Sequence, residues 1–105
     1  MKRKFFDKEY DLLDLRESGI NDLIFDLIPA IEFMHDLVRH NIRILGGDII
    51  IKNKSGNYDV STDNWYSQSK VPEETFVCAM DYLKKYIQSH PNANWKIAVV
   101  TSEYL

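Results

Sequence analysis

The sequence predicts an α+β fold in which a small antiparallel or mixed β-sheet packs against two main helices, with a short helix at the N-terminus. Three observations carry this expectation. Two segments repeat apolar residues at the spacing of one helix face, β-branched runs stand between and after them, and a stretch of turn formers separates two of those runs. No linker, repeat or low-complexity stretch divides the 105 residues, so one domain over residues 1–105 is expected, a length at which a single core can form.

Residues 7–16 are expected to form the short helix, with Phe6, Tyr10 and Leu13 inward and Ser18-Gly19 ending it. The first main helix is expected over 27–41, because Leu27, Ile31, Met34 and Val38 recur at the spacing of one face. Asp26 suits its N-cap, and Pro29 falls in the first turn, where its missing N–H has no partner to lose. Residues 42–45 and 49–51 read as strand. Between them, Gly46 and Gly47 mark a bulge or sharp bend whose backbone a β-carbon would oppose. Asn53 to Asn57 carry hairpin-turn chemistry, which returns Tyr58 to Val60 antiparallel to residues 49–52. The second main helix repeats Phe76, Met80, Leu83 and Ile87 along one face. Pro72, Glu73 and Glu74 suit its first turn, Lys84 and Lys85 its negative end, and Pro91 stops it. Residues 95–101 are expected as a half-to-fully buried strand.

Charge is unevenly distributed. The net charge is −3, yet residues 5–36 hold Asp7, Glu9, Asp11, Asp14, Glu17, Asp22, Asp26, Glu32 and Asp36 against only Lys8 and Arg16, a local balance of −7. Nucleic-acid binding requires the opposite sign over a contiguous face and is not expected; the acidic half points either to a basic protein partner or simply to a solvated helix surface. Met1-Lys2-Arg3-Lys4 is basic, but no uninterrupted apolar run of a secretion signal follows. No segment approaches the roughly 18 apolar residues of a membrane span. Cys78 is the single cysteine and can form no intrachain disulfide, which fits a reducing cytoplasm. The sequence carries no signal for oligomeric state.

Neither a catalytic centre nor a metal or cofactor site is expected. His35 and His40 are five residues apart and lie about 140° around a helix from each other, which does not suit chelation; His90 is remote. Cys78, beside Val77 and Ala79, is expected to be a buried structural thiol. Gly46-Gly47-Asp48 invites comparison with the Gly-Gly-Asp hairpin of nucleotide cyclases, but Ile49 stands where those enzymes carry a second acid. Asp63-Asn64-Trp65-Tyr66 is expected as a polar loop before the second main helix, where adjacent aromatics suit a partner interface. The competing expectation is that Trp65 closes one end of the core while Tyr66 lies on the surface. Asp22, Glu32, Asp36, Asp48, Asp63, Trp65 and Tyr66 are thus the candidate partner-binding residues, with Gly46 and Gly47 shaping the backbone. A second reading is a small enzyme or ligand-binding domain using Asp48 and the Trp65/Tyr66 loop.

Ser18-Gly19-Ile20-Asn21, the run Ile44 to Asp48, Asp63-Asn64-Trp65-Tyr66, and a helix with Phe76 and Tyr86-Ile87 leading to Pro91 occur in this order over residues 18–91. In these motifs the sequence resembles the Immunity protein 40 family of bacterial polymorphic toxin systems. The resemblance implies an α+β immunity protein encoded beside a toxin, often a nuclease, which it binds stoichiometrically in the cytosol without catalytic residues of its own.

Overall fold

In the computed structural model, which describes residues 1–91, 94–103 and 105, a four-stranded sheet is assembled from distant parts of the chain. Its strands are β3 (Leu23–Phe25), β4 (Ile44–Lys52), β5 (Tyr58–Tyr66) and β6 (Trp95–Thr101). The spatial order is β3-β6-β4-β5, and every neighbouring pair is antiparallel. Helix α1 (Leu27–Arg39) connects β3 to β4, and α2 (Pro72–Ser89) connects β5 to β6. The last strand in sequence therefore lies inside the sheet, which explains its apolar run Ile97-Ala98-Val99, buried on both faces.

The two faces are covered differently. On one, Phe33 and Leu37 of α1 and Ala79 and Leu83 of α2 meet Phe25, Ile49 and Ile97. Phe33 is the hub of this layer, with its ring 4.8 Å from Phe25, 5.2 Å from Phe5 and 5.3 Å from Tyr10. On the other, Leu15 and Ile20 from the segment before β3 cover Ile24, Ile50 and Ala98. That cover stops short of the β6 end carrying Val100, which stays exposed.

The hairpin turn behaves as expected. The Asn53 side-chain oxygen accepts from the Ser55 and Asn57 N–H groups at 2.9 and 3.0 Å, Gly56 supplies a left-handed φ of 85°, and Val60 returns opposite Ile50. Both main helices form, and Met34 and Leu83 of the expected faces are buried, but the centre of each buried face is shifted toward the neighbouring row. The buried positions are Ala30, Phe33, Met34, Asp36 and Leu37 in α1, and Thr75, Ala79, Leu83 and Tyr86 in α2, while Ile87 is exposed. An apolar arc spans two adjacent stripes, and packing selects between them. Thr75 shows what is gained, since its hydroxyl accepts from the Ile44 N–H at 3.0 Å and donates to the Pro72 carbonyl at 2.6 Å, tying α2 to the start of β4.

Four expectations are corrected. The helix expected over 7–16 is instead a hairpin of β1 (Lys2–Phe5) and β2 (Lys8–Asp11), followed by a 3-10 turn at Arg16–Ser18 that Gly19 ends at φ 80°. Its two-residue turn places Phe6 and Asp7 at φ 56° and 59°, a conformation that carries no glycine signature here. Phe6 is held by stacking on His40, with ring centroids 4.0 Å apart. Asp63 to Tyr66 are not a loop but the second half of β5, pairing with Gly46 to Asp48 beyond a register shift. Asp26 occupies the N-cap position, yet its carboxylate bonds Lys96 at 2.6 Å and not the helix N-terminus. Cys78 is half-buried rather than buried, 3.8 Å from the Tyr66 carbonyl.

Candidate partner-binding surface

The candidate residues fall into three places. At the first, the β1–β2 hairpin lies against α1 and brings Lys8 to 2.5 Å from Glu32 and 2.9 Å from Asp36. The Tyr10 hydroxyl donates a hydrogen bond to the same Asp36 carboxylate, and Arg39 stands 4.0 Å away. Asp36 is only 8% exposed. Burial alone would push its pKa up, but the Tyr10 hydroxyl and the Lys8 ammonium together hold it below the usual carboxylate range. Correspondingly, burial and the bond to Asp36 raise the Tyr10 pKa, and the bonds to Glu32 and Asp36 raise that of Lys8. Glu32 and Asp36 thus meet their counter-charge inside the fold. Much of the acidic segment does likewise: Asp11 pairs with Lys2 and the N-terminus, Asp14 with Arg16, and Asp26 with Lys96.

The second place is the helix-covered face at the end of β5. Trp65 is 6% exposed, stacks on Tyr82 with centroids 5.3 Å apart, and lies over Gly47. A β-carbon at Gly47 would overlap the indole ring and approach the Ala98 carbonyl to 2.6 Å; one at Gly46 would overlap the Trp65 carbonyl and approach the Tyr66 Cα to 2.9 Å. The glycines are therefore required by close approach across β4, not by a left-handed backbone. Asp63 accepts a hydrogen bond from the Tyr86 hydroxyl at 3.0 Å, and burial together with that bond pushes the Tyr86 pKa up to about 12.

The third place is the half-covered face. Asp48 lies directly opposite Ala98 of β6 and Asn64 of β5. Directly paired residues share a face, so Asp48 points to the Ala98 side, away from Trp65. Desolvation and the nearby negative charge of Asp22 raise the Asp48 pKa above the usual carboxylate range. One row along, Gly46 sits between Tyr66 and Val100, which are 70% and 42% exposed. With no side chain between these two, the row floors a depression of about 260 Å³ bordered by Asp48 and Asn64.

A family model, Immunity protein 40, matches residues 14–101. The chain belongs to this family. It is thereby an immunity protein, whose partner is a toxin, and the resemblance first read from Ile44 to Asp48 and Asp63 to Tyr66 is confirmed over a longer span. No curated protein and no solved structure matches the chain. The matched residues include Asp22, Asp48, Tyr66 and Val100, whereas Lys8 and Tyr10 precede them.

Sequence reasoning overlooked Val100, although strand alternation from Ala98 puts it on the half-covered face. It also overlooked Lys8 and Tyr10 as partners of Asp36, which stand 28 and 26 residues away in sequence with no local signal to link them. Among the described residues no helix is long and apolar enough to cross a membrane.

Proposed function

We propose that this chain neutralises the toxin domain of a bacterial polymorphic toxin system in the cytoplasm, binding it stoichiometrically and performing no catalysis. The family match over residues 14–101 carries this reading. The toxin is proposed to be a nuclease, because a nuclease cleft is lined by cations and the chain offers carboxylates, among them Asp22 and Asp48, that meet no counter-ion among the described residues. The alternative reading, a small enzyme or ligand-binding domain using Asp48 and the Trp65/Tyr66 loop, is less well supported: the Trp65 side chain lies on the face opposite Asp48, and only Tyr66 shares its face.

The test is to titrate the chain into a nuclease assay of the C-terminal domain encoded by the adjacent gene. Activity is expected to fall linearly and end at one equivalent. Persistent activity at excess would refute neutralisation, and a toxin with no nuclease activity would refute the substrate class. Association should also depend on salt, since the Debye length falls from about 30 Å at 0.01 M to about 10 Å at 0.1 M. The on-rate is expected to fall over that range, and the triple variant Glu9→Gln, Glu17→Gln, Asp22→Asn should flatten the dependence.

A further inference from the structure

The half-covered sheet face combines exposed apolar groups with carboxylates that meet no counter-ion among the described residues. Its helix-side counterpart is sealed by α1 and α2, while the segment carrying Leu15 and Ile20 covers only the part over Ile24, Ile50 and Ala98. Beyond that cover Tyr66 and Val100 remain exposed on either side of Gly46, and Val100 also borders a larger trough of about 550 Å³ that runs to Asp22. Asp48 of β4 lines the depression and Asp22, which immediately precedes β3, lines the trough; the two flank β6, whose Val100 borders both cavities.

We infer that this notch is the anchor site for a basic side chain of the toxin, an arginine or lysine that enters between Tyr66 and Val100 and is held by the carboxylates of Asp48 and Asp22. The inference rests on the toxin-binding reading and names the surface that carries it. Charge complementarity selects the occupant. The bordering cations are turned elsewhere: Arg16 to Asp14 at 2.6 Å, and Arg3 to the Leu105 carbonyl at 2.7 Å. Neither Asp22 nor Asp48 has a hydrogen bond or ion pair through its side chain among the described residues. The raised proton affinity of Asp48 is what a half-desolvated carboxylate beside a like charge shows, and an incoming cation offsets both causes by favouring the charged form. Tyr66 adds an aromatic face on which a guanidinium stacks, and Val100 an apolar wall for the aliphatic stem of either side chain. Gly46 leaves the floor open. A tyrosine exposed at the rim of a desolvated notch also fits the composition of interface anchors.

Binding of the catalytically disabled toxin domain from the adjacent gene to the full chain tests this, with thermal melting of each free variant as the control for folding. Tyr66→Ala is expected to weaken binding by roughly 30-fold. Asp22→Asn with Asp48→Asn should weaken it by about tenfold or more and reduce its salt dependence. Val100→Lys, which places a cation of the chain's own in the notch, should abolish binding. Asp81→Asn, on the exposed side of α2, should leave affinity unchanged. If the wild-type chain binds no toxin domain, the functional reading falls and the anchor with it. If wild type binds tightly and the three notch variants bind equally well, the surface assignment alone is overturned. Dimerisation of the free chain that Tyr66→Ala dissolves, with toxin binding intact, would assign the notch to a second copy and would likewise overturn it.

Discussion

At the corner where the β1–β2 hairpin meets α1, Asp36 receives the Tyr10 hydroxyl and the Lys8 ammonium; on the other face of the sheet, Asp48 receives no cation among the described residues and faces Asp22. Both carboxylates are withdrawn from water, yet their proton affinities move in opposite directions, down for Asp36 and up for Asp48. A withdrawn charge that is fully bonded holds a fold together. One that is not weighs against folding and becomes favourable only when something else supplies the counter-charge. The contrast separates acidic residues that serve structure from those free to serve recognition, a distinction that net charge alone does not make.

The rigidity of the open end can be broken at Gly47. Gly47→Ala drives a methyl group into the Trp65 ring and the Ala98 carbonyl, and is expected to lower stability by about 3 kcal/mol, seen as a fall in the urea midpoint. Near-wild-type stability would mean that the indole repacks freely and that the floor of the notch is soft. The closed corner can be broken at Asp36. Asp36→Ala leaves Lys8 and Tyr10 without their acceptor and is expected to lower stability by about 2 kcal/mol at neutral pH. Because the folded pKa of Asp36 is depressed, its contribution is present above the ordinary carboxylate value near 4 and disappears as pH falls through the folded value. The gap between wild type and Asp36→Ala should therefore close in acid.

The smallest expected effect sharpens the contrast. Asp48→Asn should be neutral or stabilising by up to about 0.5 kcal/mol at neutral pH. The folded pKa of Asp48 is raised, so the folded chain holds this proton more tightly than the unfolded one. Stability contributed by the protonated group is present below the unfolded value and lost as pH rises through the folded one. A clear loss of stability in Asp48→Asn would show that this carboxylate, like Asp36, is part of the scaffold.

Where local chemistry was decisive, the sequence was readable. Pro72-Glu73-Glu74 began α2, Asn53 and Gly56 closed the β4–β5 turn, and the apolar run of β6 identified a strand, whose middle the structure buries on both faces. The double glycine indicated that a β-carbon was unwelcome in β4, and adjacent aromatics in β5 marked Trp65 and Tyr66 as residues with special roles. The reading of Trp65 as core and Tyr66 as surface is the one the structure supports. Where the outcome depended on a partner far along the chain, local pattern was insufficient. The tight turn at Phe6 and Asp7 adopts left-handed backbone without a glycine, so a hairpin passed for a helix. Asp63 to Tyr66 look polar enough for a loop, but pairing with Gly46 to Asp48 makes them strand.

The sequence by itself determined the α+β class, the two main helices, the intolerance of a β-carbon at Gly46 and Gly47 and the family, because these rest on spacing and residue chemistry within short windows. The bulge or bend expected at the two glycines is instead regular strand, with register shifts to either side of them. Only the tertiary structure decided which carboxylates are neutralised. Lys8 reaches Glu32 and Asp36 because the hairpin folds onto α1, and Lys96 reaches Asp26 across 70 residues because β6 pairs beside β3. Charges interact through space over a few ångströms, and sequence order does not record that distance.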